Sequence, residues 1–213
     1  MANKLQYISQ GETAQEQITN IHKSLDAGCE WVQLRFKNAN KKDFEEVATE
    51  VKKICDSYNA KLIINDQVDI VHKVDACGVH LGLQDMPIKQ ARHILGNDKI
   101  IGGTSNSLED VLMRVKEECD YIGLGPFRFT STKKKLSPIL GVEGINKIMQ
   151  ELASQSIQIP VYAIGGITYS DVKEIMETGV AGIAISGEIT MHPNKKELLE
   201  NFNQILNGQI NHS

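Results

Sequence analysis

The sequence predicts a single (β/α)8 barrel spanning residues 1–213, and three observations carry this prediction. Short apolar, β-branched runs recur eight times without polar alternation, as in strands that are buried on both faces of a parallel sheet. Amphipathic stretches of helical length lie between them. The 213 residues give about 27 residues per strand–helix unit, which is small but sufficient for such a barrel. An open, doubly wound sheet is the alternative; strict alternation up to eight and the lack of Gly-x-Gly-x-x-Gly after the first strand disfavour it.

The composition excludes several classes of protein. With 23 basic and 27 acidic side chains, the net charge of -4 argues against a general nucleic-acid binder. No apolar run approaches the ~20 residues of a membrane span, so we expect no membrane partner. The first residues, Met1 to Gln10, lack the charged-then-apolar order of a signal peptide. We therefore expect a cytoplasmic protein whose four cysteines are reduced and mostly buried.

The strands are the shortest and most apolar segments of the sequence. Each is a run of about four residues, which is close to the lower end of strand lengths in globular proteins. In chain order they are Leu5–Ile8, Trp31–Leu34, Lys61–Ile64, Gly78–Leu81, Ile100–Gly102, Tyr121–Gly123, Val161–Ala163 and Gly182–Ile185.

The helices are predicted from apolar residues at spacings of three and four. In Thr13–Ala27, for example, Ile18, Ile21 and Leu25 form one stripe. The stretch after Asp66 is the weakest helix, and the fourth begins near Pro87. The remaining helices are Lys41–Tyr58, Leu108–Glu118, Val142–Leu152, Tyr169–Thr178 and Lys195–Leu206.

Capping residues agree with these boundaries. Asn40 or Asp43 can cap the second helix, and Ser107 can cap the fifth. Gly28 and Gly179 stand where the chain must leave a helix in a left-handed conformation.

Cationic and amide side chains follow the second strand. Alternation places Gln33, Arg35 and Lys37 on one side, and two cations with an amide suit a grip on phosphate oxygens. The alternative is a strand end that forms salt bridges with neighbouring acids.

Acidic residues follow the third and fourth strands. Asp66 and Asp85 could share one hard cation, because Mg²⁺ uses one or two carboxylates together with phosphate oxygens of the substrate. The alternative for Asp85 is that it only caps the helix after Pro87.

The connections after the last four strands are rich in glycine and hydroxyl groups. Gly102-Gly103-Thr104 stands at the end of the fifth strand, where the glycines allow close approach of the backbone and Thr104 offers a hydroxyl; a simple turn is the alternative. The long connection 125–135 after the sixth strand carries three hydroxyl residues and then three lysines, which predicts an anion-gripping loop; a solvated basic run is the alternative. Gly165-Gly166 and Ser186-Gly187 follow the seventh and eighth strands, the usual place of a phosphate pocket in such a barrel.

Two further residues are interpreted as structural. His80 lies inside the fourth strand and is read as a hydrogen-bonded histidine rather than a catalytic one. Cys77 is read as a small buried apolar residue, since no histidine partner for a nucleophile is evident.

Together these features predict two phosphorylated ligands, one of them a pyrophosphate. No nucleophile–base pair is visible in the sequence. A reaction that needs neither is ionisation, in which a pyrophosphate leaves with help from metal and cations and a second substrate captures the carbon.

The residues at these strand ends resemble the thiamine-phosphate synthase family over about residues 5–206. The motifs occur in the order found in that family. They are Gln33-x-Arg35-x-Lys37, Asn65-Asp66, Gly78-Val79-His80-Leu81-Gly82-x-x-Asp85, Gly123-Leu124-Gly125-Pro126, Thr130-x-Thr132-Lys133-Lys134 and Gly165-Gly166-Ile167.

The resemblance implies a (β/α)8 transferase of thiamine biosynthesis with Mg²⁺ as cofactor. It would join 4-amino-2-methyl-5-(diphosphooxymethyl)pyrimidine to 4-methyl-5-(2-phosphoethyl)thiazole, or its carboxylated form, and release pyrophosphate by a dissociative mechanism. The implied binding residues for the pyrimidine pyrophosphate are Gln33, Leu34, Arg35, Phe36, Lys37, Asn65, Thr104 and Lys133, with Arg35, Lys37 and Lys133 catalytic. Asp66 and Asp85 would hold Mg²⁺, and the implied residues for the thiazole phosphate are Thr130, Ser131, Thr132, Gly166, Ser186 and Gly187.

The sequence departs from the family pattern at four places. Leu83 replaces a glutamine, Cys77 replaces an aspartate and Thr104 replaces a serine. At the last turn, Ser186-Gly187 stands where an aliphatic residue and then serine are usual. These departures concern fine specificity rather than the reaction.

Three other activities remain open at the level of sequence. They are a thiazole tautomerase, a non-catalytic barrel that binds a phosphorylated metabolite, and a sugar-phosphate isomerase or epimerase. The oligomeric state is also open, and a homo-oligomer is compatible with the sequence.

Overall fold

The protein is a closed barrel of eight parallel strands in the order β1 to β8, as predicted. The structure, a computed structural model, describes residues 3–129 and 138–208. Each strand pairs with its neighbour in the chain, and β1 closes the barrel against β8. The open doubly wound sheet is therefore excluded. The assignment of all 213 residues to one domain stays a prediction.

The strands lie where the apolar runs predict them. Four match to the residue, and the others extend by one to three residues at the carboxyl end. Their bounds are β1 Leu5–Ile8, β2 Trp31–Leu34, β3 Lys61–Asn65, β4 Gly78–Leu81, β5 Ile100–Ser105, β6 Tyr121–Leu124, β7 Val161–Ile164 and β8 Gly182–Ile185.

The helices also follow the prediction, with one addition. Their bounds are α1 Ala14–Asp26, α2 Lys41–Ser57, α3 Val68–Lys73, α4 Ile88–Leu95, α5 Leu108–Lys116, α6 Gly141–Ser154, α7 Val172–Glu177, α8 Gly187–Met191 and α9 Lys195–Leu206. A 3-10 turn, Tyr169–Asp171, precedes α7. The short α8 was not predicted, because five residues are too few to show a helical period. None of the helices in the described part of the chain is long and apolar enough to cross a membrane.

The predicted caps are largely confirmed. The side chain of Asn40, not Asp43, caps α2 by accepting from the N–H of Asp43, and Ser107 caps α5. Gly28 and Gly179 have φ angles of 99° and 89°, the left-handed conformation expected after a helix.

Aromatic rings fill the amino-terminal end of the barrel interior. Trp31 contacts Tyr121 and Tyr162 edge-on, with ring centroids 5.2 and 5.0 Å apart, and Ile63 completes the layer. Gly102 makes room for the Tyr121 ring, since a Cβ atom at this position would lie 2.2 Å from the ring. This layer closes the lower half of the barrel, so that any cavity must lie above it.

Candidate active site

A cavity of about 350 Å³ opens at the carboxyl ends of the strands. Its wall along β2 to β5 is polar and includes Gln33, Arg35, Asn65, His80 and Thr104. Its wall along β7 and β8 is rich in glycine and includes the turns 165–166 and 186–187. The cavity therefore brings together the strand ends that the sequence singled out.

Gln33 and Asn65 form the floor of the polar wall. Both are buried, and Nε2 of Gln33 donates to Oδ1 of Asn65 across 2.8 Å. Oε1 of Gln33 has no hydrogen-bond partner among the described residues. A buried acceptor without a partner is costly, so a ligand N–H group at this position would satisfy it.

The segment after β2 alternates as predicted. Arg35 lines the cavity and Lys37 is exposed at the rim. The side chains of Leu34 and Phe36 pack in the apolar layer outside the barrel and do not line the cavity. Alternation along an extended chain explains this, so that only their backbone could contact a ligand there.

Asp66 and Asp85 lie together at the rim. Their carboxyl groups are within hydrogen-bonding reach of each other, beside Lys37 and Arg35. Burial, and then the hydrogen bond and charge of Asp85, raise the pKa of Asp66 to about 7, against the opposing effect of the two cations. Two carboxylates this close repel each other when both are ionised, and a divalent cation bound between them would offset that repulsion.

The turn after β4 sets the position of Asp85. The N–H of Gly82 donates to Oδ2 of Asp85 across 2.7 Å. The helix that follows has Pro87 at its N-cap, with no side-chain cap hydrogen bond. The alternative reading of Asp85 as the cap of α4 is therefore wrong.

Thr104 ends a chain of buried polar groups. Its hydroxyl lies 2.9 Å from Nε2 of His80, and Nδ1 of His80 lies 3.0 Å from the Tyr121 hydroxyl. Nε2 of Gln6 donates to that hydroxyl across 3.3 Å. His80 is thus hydrogen-bonded through both nitrogens, as predicted for a structural histidine, although it also lines the cavity. Cys77, in contrast, is only half-buried.

The turn after β7 needs its two glycines. Gly165 and Gly166 have φ angles of 94° and 72°, and a Cβ atom on either would meet Pro126 or Arg128 at 2.9–3.0 Å. Arg128 holds both carbonyls, through its N–H to Gly165 and its guanidinium to Gly166, each at 2.9 Å. The backbone N–H groups of the two glycines donate to no described residue, so they suit an anion.

In and near the turn after β8, some of the hydrogen-bond donors already have partners within the protein. The hydroxyl of Ser186 donates to the carbonyl of Ile8 across 2.7 Å, so its proton already has a partner. Glu188 also lines the cavity, and its carboxylate accepts from the N–H of Tyr169 at 3.4 Å. Glu188 therefore occupies an N–H donor that a phosphate could use, and this residue is not among the predicted site residues.

The remaining predicted site residues lie outside the described part of the chain. They are Thr130, Ser131, Thr132 and Lys133, in the connection between β6 and α6.

Several polar groups that line the cavity are not among the residues predicted from the sequence. Gln6 and Gln10 line the cavity from β1 and the loop after it, and Glu188 does so from α8. The inward position of Gln6 in an otherwise apolar strand was the available signal.

Comparison with known proteins points to one family. The sequence model described as thiamine monophosphate synthase matches residues 5–189. The thiamine-phosphate synthase of Flavobacterium johnsoniae is 54% identical over 210 residues, 99% of each chain, and that of Bacteroides fragilis is 46% identical over 193 residues, 91% of this chain and 95% of its own. The structure of thiamine phosphate pyrophosphorylase from Pyrococcus furiosus superposes with a TM-score of 0.84 at 31% identity and covers 98% of this chain and 97% of its own.

Proposed function

Because the chain belongs to the thiamine monophosphate synthase family, we propose that its rim cavity joins 4-amino-2-methyl-5-(diphosphooxymethyl)pyrimidine to 4-methyl-5-(2-phosphoethyl)thiazole and releases pyrophosphate. The family makes the chain a transferase of thiamine biosynthesis. The identity of the two substrates and the mechanism are the proposal.

The observation that carries this proposal is the carboxylate pair beside two cations. Asp66 and Asp85 share one hydrogen-bonded site, and Lys37 and Arg35 are close enough to affect the pKa of Asp66. A monophosphate needs no such arrangement, whereas a pyrophosphate brings several negative oxygens that a divalent cation and two side-chain cations can share.

The polar wall suits an aminopyrimidine ring. The ring carries N–H donors on its amino group and acceptors on its ring nitrogens. Oε1 of Gln33 is a buried acceptor without a described partner, and the Thr104 hydroxyl stands on the same wall. The amino group of the pyrimidine could therefore donate to Gln33, and a ring nitrogen could accept from the Thr104 hydroxyl.

The donor set of the acidic pair fits Mg²⁺. Asp66 and Asp85 would hold the ion through carboxylate oxygens, with the remaining positions left to water and substrate oxygens. When bound, Mg²⁺ neutralises negative charge on the pyrophosphate oxygens and makes them a better leaving group.

The opposite wall suits the phosphate of the thiazole. The N–H groups of Gly165 and Gly166 are available to its oxygens, and those of Ser186 and Gly187 stand across the turn after β8. The carboxylate of Glu188 must move aside before a phosphate takes the N–H of Tyr169.

The reaction we propose needs no base from the protein. The bond between the methylene carbon and the pyrophosphate oxygen breaks, and its electron pair leaves with pyrophosphate while the amino group of the pyrimidine donates electron density to the ring. The thiazole nitrogen then forms the new C–N bond with its own lone pair. Arg35 and Lys37 stabilise the charge that develops on the departing oxygens, an electrostatic contribution of about 3–4 kcal/mol for each well-placed donor.

A direct assay tests the proposal. Both phosphorylated substrates are mixed with Mg²⁺ and folded protein, and thiamine phosphate and pyrophosphate are measured together; omission of the thiazole is the control. Equimolar products are expected. A folded protein that yields neither product contradicts the proposal, and isomerised thiazole phosphate without pyrophosphate would point to a tautomerase.

A pair of lysine variants tests the part of the proposal that rests on sequence alone. We expect Lys133→Ala to lower kcat strongly and Lys135→Ala, two residues further along the same basic run, to change it little. Equal effects of the two variants on kcat would show that the connection acts only through its general charge.

A further inference from the structure

A buried arginine spans two strand ends behind the polar wall of the cavity. Arg114 belongs to α5 and is only 3% exposed. Its Nε donates to the carbonyl of Thr104 at 3.2 Å, and one terminal nitrogen donates to the carbonyl of Gly82 at 2.8 Å. The other terminal nitrogen pairs with Glu117 at 2.8 Å. One rigid guanidinium thus ties together the carboxyl ends of β4 and β5.

The path of this side chain depends on a glycine in β5. A Cβ atom at Gly103 would lie 2.8 Å from Cδ and 2.9 Å from Nε of Arg114. The glycine therefore leaves the space through which the arginine crosses the strand. This is a packing role, rather than the close approach of a ligand.

Of the two residues whose carbonyls Arg114 holds, Thr104 is a predicted site residue and Gly82 is hydrogen-bonded to another, Asp85. The Gly82 carbonyl accepts from Arg114 while its N–H donates to Asp85. The Thr104 carbonyl accepts from Arg114 while its hydroxyl faces His80. Arg114 itself does not line the cavity.

We propose that Arg114 is a positioning residue that fixes Asp85 relative to Thr104, and so holds the pyrophosphate end and the ring end of the pyrimidine substrate in register. This inference rests on the proposed function. Its physical basis is that a misplacement of about 1 Å at a reacting centre can cost roughly 100-fold in rate. The planar fork of a guanidinium can bridge two carbonyls, whereas a lysine ammonium is a single point of contact.

Arg92 is a matched control at the opposite end of the barrel. It lies in α4, donates to the carbonyls of Gly96 at 3.1 Å and Lys99 at 2.6 Å, and pairs with Asp120 at 2.6 Å. It therefore makes the same number and kind of contacts as Arg114, on the connections that precede β5 and β6. None of these three partners lines the cavity.

The experiment compares Arg114→Met, Arg114→Lys and Arg92→Met with the wild-type enzyme. The Tm is measured for each, together with kcat, KM for the pyrimidine substrate, and the Kd of inorganic pyrophosphate with Mg²⁺ by titration calorimetry. We expect both methionine variants to lower Tm by similar amounts. Only the change at Arg114 should weaken pyrophosphate binding and lower kcat/KM, by about 10- to 100-fold, with Arg114→Lys between it and the wild type.

Equal pyrophosphate affinity and kcat/KM in Arg114→Met and Arg92→Met would overturn the proposal and leave Arg114 a purely structural residue. If Arg114→Met does not fold, Arg114→Lys decides, because wild-type binding and kinetics in that variant contradict a positioning role. A wild-type enzyme that makes no thiamine phosphate would instead remove the proposed function, whatever the arginine variants do.

Discussion

The two ends of the barrel are built from the same strands but carry opposite kinds of residue. In β2, Trp31 packs in the aromatic layer at the amino end, while Gln33, two residues later, and Arg35, just after the strand, line the cavity. In β6, Tyr121 fills the interior below and Gly123 leaves it open above. In these two strands, the residue that packs the core and the residue that lines the cavity are thus only two positions apart. Substitutions at the two ends of the barrel should therefore have different effects.

The largest effect on stability should come from the aromatic layer. Trp31→Ala removes a buried ring that contacts two tyrosines, and we expect it to lower the free energy of unfolding by about 3–5 kcal/mol. Chemical denaturation measures this, and KM for both substrates at low temperature should stay within about twofold of wild type, since the ring lies below the cavity. A changed KM with unchanged stability would remove the separation between the two ends.

The largest effect on catalysis should come from the acidic pair. Asp85→Ala removes one of the two carboxylates proposed to hold Mg²⁺, and we expect kcat/KM to fall about 100-fold or more, or ~3 kcal/mol in transition-state stabilisation. Stability should change little, because the variant loses the hydrogen bond from the Gly82 N–H but also removes a like charge beside Asp66.

The control for this variant is Asp75→Ala at the other end of the barrel. Asp75 forms an exposed ion pair with Lys99, which is worth about 0–1 kcal/mol. Its loss should leave kcat/KM and its Mg²⁺ dependence unchanged. If the two variants have the same kinetics, Asp85 has no part in metal binding.

Tyr121 belongs to both ends and is the place where the separation should fail. Its ring lies in the aromatic layer, while its hydroxyl contacts Gln6 and His80 below Thr104. We expect Tyr121→Phe to cost about 1–2 kcal/mol of stability and to lower kcat/KM several-fold, because His80 loses the partner of Nδ1 and Thr104 is held less firmly.

Tyr162→Phe is the matched control for this effect. The Tyr162 ring lies in the same layer, but its hydroxyl donates to the carbonyl of Asn3, away from the cavity. Tyr162→Phe should lower the free energy of unfolding but leave kcat/KM unchanged. A kinetic defect of equal size in both variants would mean that the layer, not the hydroxyl of Tyr121, supports the site.

The smallest effect should be a pH-dependent gain in stability. The pKa of Asp66 is raised to about 7, chiefly by burial, so the folded protein favours the protonated form. As the pH rises from about 4 to 7, the unfolded chain loses this proton first and stability falls. We expect Asp66→Asn to match wild type below pH 4 and to be more stable by about 1 kcal/mol at pH 8, after allowance for the partial exposure of the side chain.

Thermal unfolding across this pH range measures the difference between Asp66→Asn and wild type. Wild-type binding of Mg²⁺ with pyrophosphate should strengthen as the pH rises through 7, since Asp66 must release its proton. A stability difference that does not vary with pH would show that Asp66 is ionised throughout and that its burial is compensated.

Most of the fold was predictable because eight apolar runs and their helices repeat one local pattern. The error at β5 is instructive. The predicted strand ends at Gly102, but β5 continues through Gly103 to Ser105, and the missing side chains of the two glycines accommodate Tyr121 and Arg114. Local sequence cannot reveal this, because both partners come from later elements.

The residues of the candidate site could be predicted only where the side chain itself indicates the kind of ligand, as a carboxylate does for a cation. Asp66 and Asp85 meet at the rim because the carboxyl ends of adjacent strands must converge. The burial of Arg114 was not predictable, since an arginine in an amphipathic helix is ordinarily solvated. Nor was Glu188, because nothing in the sequence places α8 against the cavity.

Because Arg114 crosses over Gly103, the residues at these two positions, which lie on different elements, cannot change independently in evolution. While the arginine is present, a lineage cannot acquire a side chain at position 103 without displacing it. Relatives that have lost the arginine are released from this restriction. Aligned homologues should therefore show covariation between positions 103 and 114. Residues larger than glycine at position 103 should occur only in chains that carry a small residue at position 114.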